Sequence, residues 1–544
     1  MKVAEGLLRC LENEGVRHVF GLPGEENMEI LDALNGSSIH FVSTHHEQGA
    51  AFMADLYGRL TGRAGVCLST LGPGATNLIT GIADAFLDRA PLVAITGQAA
   101  LDRMHKESHQ VIDIVSIFHP VTKWNVLLQK PQSVPEVVRK AFKLAEEEKR
   151  GPTHIDVPED LAGLPAQFDP LPRQERQEPE PKDRTLRDAL ALIERARFPM
   201  ILAGNGILRS RASRALVRFA EKFQIPVANT FMAKGIIPFD HPLSLMAVGL
   251  QARDYVSCGF DRADLVIAVG YDMVEYHPEL WNPDRNKTIL HIDRTAAEVD
   301  DSYVCALEVV GDIATTLDRM TEMGAPREGR PGVSVLRDYI VNEIDSFRDD
   351  RSFPLKPQKI LSDLRAALDR RDIVISDVGA HKLWIARMYP CYQPNTCIIS
   401  NGFASMGIAL PGAVAAKIVY PDRKVVAACG DGGFLMNVQE LETAVRIGNP
   451  FVVLVWHDCG YGLIRWKQLN RYGRATAVDW GEVDFCGLAK SFGADGYRVQ
   501  AAEDLLPALR EALASERVAV VDCPVDFQEN IRLTERLGQL VCPI

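Results

Sequence analysis

The apolar positions of this chain come in short, often β-branched runs separated by stretches of helical spacing, and the two kinds alternate from end to end. Residues 39–43, 65–70, 92–96, 200–203, 265–269, 373–376, 424–429, 451–456 and 518–522 are examples. Each is too short to read as a helix, and most are bounded by Gly, Asp or Pro, which reads as a buried strand. A parallel strand pair needs a crossover long enough to hold a helix, so strands alternating with helices predict parallel sheets. Residues 1–9 have an amphipathic helical pattern that already belongs to the fold and lack the shape of a signal peptide.

Two breaks divide this pattern. Residues 171–184 (LPRQERQEPEPKDR) are proline-rich and charged, and residues 324–333 (GAPREGRPGV) form a second such stretch. Both read as exposed linkers. The expectation is an α/β chain of three domains, 1–170, 185–323 and 334–544, each with a parallel sheet flanked by helices. The first and third blocks share size and pattern, which suggests an ancient duplication. A net charge of −12 over 544 residues argues against a nucleic-acid surface. No apolar run reaches the length of a membrane span, so no membrane partner is expected. Eleven cysteines without a CxxC pair read as reduced thiols of a cytoplasmic protein.

The chemistry concentrates at strand ends. The run 424–429 ends at Gly430-Asp431-Gly432-Gly433, and 27 positions after Asp431 the run 451–456 leads to Asp458-Cys459-Gly460. Between them, Asn437 with Glu440 reads as a helix N-cap and its box partner, and Gly448 as the stop of the 440–446 helix. This β-α-β unit sets two carboxylates at strand C-termini, where ligands bind in open α/β sheets. Magnesium takes about six oxygens and bridges carboxylates to phosphates, and glycines let backbone N–H groups approach those phosphates. A plain turn with solvated acids is the alternative, and the return to a second acid weighs against it.

In the first block, Glu47 follows the run 39–43 and opens a small-residue helix. Alone it reads as a first-turn glutamate complementing the helix dipole. Beside a phosphate clamp it reads as a desolvated, proton-holding acid. Residues 71–77 (LGPGATN, with Pro73 and Asn77) and 21–27 are glycine-bearing loops at strand ends. In the middle block, Gly204-Asn205-Gly206 lacks the third glycine of a dinucleotide fingerprint.

These residues together carry a resemblance. Gly430-Asp431-Gly432, the spacing, and the Asp458 to Tyr461 turn resemble the motif of thiamine-diphosphate-dependent enzymes. Asp458 stands where that motif often has its second asparagine. The segment around Glu47 resembles the family's HEQ-A-A segment, and His109-Gln110 resembles the HQ of its flavin-free, catabolic acetolactate synthases. The resemblance spans the chain and implies domains in the order pyrimidine-binding (PYR, 1–170), middle (185–323) and diphosphate/Mg-binding (PP, 334–544). It implies thiamine diphosphate and Mg2+ as cofactors, with Asp431, Asp458 and the Gly460 carbonyl on the metal. Glu47 would lie against the aminopyrimidine, near Pro73 and Asn77. Gly379, Ala380, His381, Lys382, Gly430, Gly432 and Gly433 would contact the diphosphate side. Met406 and Leu463 would pack on the rings, with Tyr461, Gly462 and Ile464 beside them. Without the resemblance, Met406 and Leu463 read as ordinary core.

Gln110 is the implied substrate-site residue, and His109 stays open between a catalytic and a satisfied structural histidine. Arg465 and Lys467 are candidates to meet a substrate carboxylate. The flavin-binding relatives' Arg-Phe-Asp-Asp run is replaced by the 270–276 segment, so no FAD is expected. The implied reaction decarboxylates pyruvate and ligates the hydroxyethyl group to a second pyruvate or other 2-keto acid, giving 2-acetolactate and CO2. Another decarboxylase, carboligase or lyase of the same superfamily is the alternative reading, and a non-catalytic nucleotide-binding module is a more distant one. Glu47 and the metal clamp lie in different blocks. The family joins them across an interface, which implies an obligate homodimer, extended to a homotetramer.

Overall fold

The computed structural model describes residues 1–174, 177–250, 252–328 and 334–543. Parts of both expected linkers, 175–176 and 329–333, lie outside them. The chain builds three six-stranded sheets in which every neighbouring pair is parallel. The first holds β1 (His18–Gly21), β2 (His40–Ser43), β3 (Gly65–Ser69), β4 (Leu92–Gln98), β5 (Trp124–Leu127) and β6 (Pro152–Pro158), in the order β2-β1-β3-β4-β6-β5. The middle sheet holds β7 (Pro199–Ala203), β8 (Val227–Asn229), β9 (Ser244–Ala247), β10 (Leu265–Val269), β11 (Thr288–Asp293) and β12 (Leu307–Val310), in the order β12-β11-β10-β7-β8-β9. The third holds β13 (Ile373–Ser376), β14 (Cys397–Ile399), β15 (Val425–Gly430), β16 (Val452–His457), β17 (Asp495–Arg498) and β18 (Ala519–Pro524), in the order β14-β13-β15-β16-β18-β17.

The first and third sheets share one winding order, as their similar sequence pattern led us to expect. The middle sheet has the other doubly wound order, with its reversal between β7 and β10. The strands are buried on both faces, which is why they read as continuous apolar runs.

The first and third sheets share one core. The helices Glu47–Thr61 and Pro73–Leu87 of the first pack with Ala409–Val419 of the third, through Leu56, Ile82, Ala413 and their neighbours. Gly412 is required at that contact, because a Cβ there would lie 2.8 Å from Leu56. The helix Ser334–Asp345, in the block assigned to the third domain, packs Leu336 and Ile340 with middle-sheet residues, and Tyr339 stacks on Tyr255.

Two expectations need correction. Asn437 does not cap the helix Glu440–Ile447. It ends an unexpected short helix, Asp431–Met436, and its amide donates to the Gly407 carbonyl. Glu440 instead reaches the first domain, accepting from the backbone N–H groups of His45 and His46 at 3.1 and 3.0 Å. The cysteines are not all thiols either. Cys258 and Cys542 form a disulfide across 284 positions, with Cα atoms 5.6 Å apart, and nine others are free. No local spacing announces that pair, because only the tertiary fold returns the C-terminal tail to the helix Tyr255–Arg262.

Candidate active site

The third sheet opens at its own reversal, between β13 and β15, into a cavity of about 200 Å3. Its walls include Gly379, Ala380, His381, Met406, Gly430, Asp431, Gly432, Gly433, Asp458, Gly460, Tyr461, Gly462, Leu463 and Ile464. Strand β15 delivers Asp431 to the first turn of the helix Asp431–Met436, and adjacent β16 delivers Asp458. The two turns touch, since the Asp458 N–H donates to Asp431 Oδ2 at 3.3 Å. The glycines here supply space: a Cβ on Gly433 would sit 3.0 Å from the Asp377 carboxylate, and one on Gly432 would sit 2.9 Å from Trp480.

The charges of this cavity call for a cation. Burial pushes the Asp458 carboxyl up to about 7, and the Asp431 charge adds to the shift. Burial also raises Asp431. The nearest cation on Asp458 is Arg465, 3.7 Å away and also paired with Asp479. The described residues contain no cluster of three metal-ligating side chains. Two carboxylates and a carbonyl therefore suit a hard cation that keeps water or phosphate oxygens in its remaining positions. The Gly460 carbonyl accepts from the Gly462 N–H at 2.9 Å and retains a second lone pair.

Two buried nitrogens on the cavity wall lack protein partners, His381 Nε2 and the indole N–H of Trp456. Burial lowers His381 to about 3, which keeps its ring neutral beside the Gly379 and Gly430 backbones. An orphaned indole N–H, a glycine cradle and paired acids fit a metal-bound diphosphate.

The first domain holds its candidates apart from this cavity. Glu47 is the first residue of its helix and is buried, with Oε2 accepting from Asn77 at 2.9 Å. Gly74 faces it, where a Cβ would lie 3.3 Å from Glu47 Oε1. Pro73 occupies the first position of the next helix. His109 and Gln110 are exposed, and Gln110 adopts φ +60° with its backbone over Gly72. None of these residues lines the cavity within the single chain.

Lys382 is not on the cavity wall. Its ammonium donates to the Ser400 carbonyl and to Asn401 Oδ1 at 3.2 and 3.1 Å. Arg465 is likewise committed to Asp458 and Asp479 rather than free for a substrate. Sequence reasoning missed Trp384, Trp456, Val525 and Asn530 on the wall, where Trp384 Nε1 donates to Asn530 at 2.7 Å. Trp456 was open to discovery, since it precedes the His457-Asp458 turn at the end of an otherwise aliphatic strand.

Family models match in this same order: "Thiamine pyrophosphate enzyme, N-terminal TPP binding domain" over residues 1–117, the central domain over 186–320, and the C-terminal TPP binding domain over 377–523. The chain belongs to the thiamine pyrophosphate enzyme family. It is similar to "Acetolactate synthase, catabolic" of Raoultella terrigena, at 38% identity over 99% of this chain and 97% of that protein. It is also similar to "Acetolactate synthase" of Bacillus subtilis (strain 168), at 36% identity over 97% of this chain and 94% of that protein. A "Probable acetolactate synthase large subunit" of Methanocaldococcus jannaschii is 35% identical over 100% of this chain and 96% of that protein.

Proposed function

We propose that this chain is an acetolactate synthase of the flavin-free, catabolic type. It takes pyruvate, releases CO2, and joins the remainder to a second pyruvate or other 2-keto acid to give 2-acetolactate. The observation that carries this reading is the glycine-lined cavity in which Asp431 and Asp458 converge from adjacent strands, within a chain similar over its length to proteins of that name. Thiamine diphosphate, when bound, supplies the nucleophilic carbon and the electron sink that decarboxylation needs.

The chain's own residues do the rest. Asp431, Asp458 and the Gly460 carbonyl hold Mg2+. The Gly433 N–H, with Gly432, Gly379, Ala380 and His381, receives the diphosphate. Met406 and Leu463 pack against the rings. Glu47, oriented by Asn77, holds a proton at the pyrimidine nitrogen. Gln110, with His109, approaches the substrate. The apolar surroundings slow protonation by water and so favour carbon–carbon bond formation over release of an aldehyde.

A homodimer completes the site in this reading, extended to a homotetramer. Phe403, Met436, Tyr461 and Ile464 beside the cavity are exposed, as are Leu101, Ile112 and Ile117 near Gln110, which gives both halves apolar surface to cover. Domain limits of 1–170, 185–323 and 334–544 and a cytoplasmic location belong to the same proposal. The nine free thiols support that location, and the one disulfide weighs against it. Among the described residues no helix is long and apolar enough to cross a membrane.

The absence of FAD is also proposed, and Glu275 supports it. At the reversal of the middle sheet its carboxylate accepts from the Asn205 N–H at 3.0 and 3.1 Å and from the Thr230 hydroxyl. An internal carboxyl group thus stands at a strand-end turn of the kind that binds nucleotide phosphates.

Product analysis tests the function. Pyruvate with thiamine diphosphate and Mg2+ should yield 2-acetolactate at the same rate with and without FAD. Acetaldehyde as the sole product would sink the proposal.

A further inference from the structure

The segment 400–407 carries Ala404 and Met406 to the cavity wall, and its backbone is unusual. Ala404 has φ +58° and Gly407 has φ +90°. A left-handed alanine is strained and persists only where its surroundings over-determine it. Those surroundings come from the first domain. Asp84, on the helix Pro73–Leu87, accepts from the Ser400 hydroxyl at 2.8 Å and from the Ser405 N–H at 3.2 Å. Asp88, one residue beyond that helix, accepts from the N–H groups of Asn401 and Gly402 at 3.2 and 2.5 Å. Gly402 leaves the room, since a Cβ there would lie 2.6 Å from Asp88.

Both carboxylates are fully buried, and Arg59 binds them at 2.9 and 2.8 Å while also binding Asp55. A guanidinium shared among three buried carboxylates leaves acceptor capacity unfilled. The loop's N–H and O–H groups fill it. Lys382, which the cavity does not use, holds the other side of the loop at Ser400 and Asn401. Asn401 in turn donates to the Glu275 carbonyl of the middle domain at 2.8 Å.

We propose that Asp84 and Asp88 are positioning residues for the cofactor: from the first domain they hold the strained 400–407 loop in the one conformation that presents Met406 to the thiamine rings. This rests on the thiamine-diphosphate reading of the cavity. The clamp acts on the ring end of the cofactor, because Met406 is carried by this loop. The diphosphate end rests on Gly432, Gly433 and His381, which the clamp does not touch.

The test compares two ligands on the full chain by titration calorimetry with Mg2+: thiamine diphosphate and inorganic pyrophosphate. Asp88→Asn should weaken thiamine diphosphate about tenfold, the scale of a lost charge-assisted hydrogen bond, and leave pyrophosphate within about twofold. Ala404→Gly in the Asp88→Asn background should recover most of that loss by removing the strain, a coupling that simple loss of packing would not produce. Melting temperatures separate loss of fold from displacement of the loop. Should Asp88→Asn not fold, Ser400→Ala carries the test, with an expected weakening of about threefold for thiamine diphosphate alone. Equal weakening of both ligands, no weakening of either, or no recovery with Ala404→Gly would overturn the proposal. Wild-type protein that binds neither ligand would instead refute the reading of the cavity itself, and the clamp with it.

Discussion

The middle and third sheets are both parallel and both bring two glycine-bearing turns together where the strand order reverses, but they treat that place in opposite ways. In the middle sheet the turns close on each other. The Gly206 N–H donates to the Gly270 carbonyl at 2.8 Å, a Cβ on Gly204 would lie 2.4 Å from that oxygen, and Glu275 caps the Asn205 N–H. In the third sheet two buried nitrogens lack partners, and two acids face a cavity. Parallel topology creates an anion-seeking site at both reversals. The side chains that follow decide whether the protein fills it or leaves it for a ligand.

The largest expected effect concerns Glu47, the acid proposed to complete the open site. Glu47→Gln should lower turnover by roughly 10^2–10^4 while the melting temperature stays near wild type, and unchanged turnover in a steady-state assay would refute its proton role. Next comes the metal pair. Asp431→Asn should weaken Mg2+-dependent binding of thiamine diphosphate by about a thousandfold, read by calorimetry, because one of two charged ligands is lost.

The closed site should respond through stability rather than ligand affinity. Burial pushes Glu275 up to about 7 from its ordinary 4.5. Between those values the unfolded chain is ionised and the folded chain is not. The stability present at low pH is therefore lost as pH rises through about 7. Wild type should lose about 3 kcal/mol relative to Glu275→Gln between pH 4.5 and 7.5, with thiamine diphosphate affinity unaltered by the substitution. Parallel denaturation curves at each pH check this, and a pH-independent difference would contradict it. The smallest effect is steric. Gly433→Ala sets a Cβ against Asp377 and should weaken pyrophosphate and thiamine diphosphate alike, by about tenfold each.

This contrast also marks what the sequence revealed and what it hid. The open site was legible because its chemistry is local. The turns at 430–433 and 458–462 and the strands that lead to them obey short-range rules, and β10 and β13 begin and end where periodicity places them. The closed site was not, since Glu275 matters only through Asn205 and Thr230, 70 and 45 positions away. Glu440 reads as a cap partner within its own helix and serves instead 394 positions away at His46. The Cys258–Cys542 bond and the Asp84–Ser400 contact escape for the same reason. Lys382 shows the converse error: beside His381 it looked like a phosphate donor, and burial turned it toward a carbonyl.

Phosphate should bind at the third reversal and not at the middle one. Calorimetric titration of the full chain with thiamine diphosphate and Mg2+, and separately with FAD, tests it most directly. The expected result is one thiamine diphosphate site per chain in wild type, severe weakening in Asp431→Asn, wild-type affinity in Glu275→Gln, and no heat with FAD. Wild-type affinity in Asp431→Asn, or saturable binding of FAD, would contradict it.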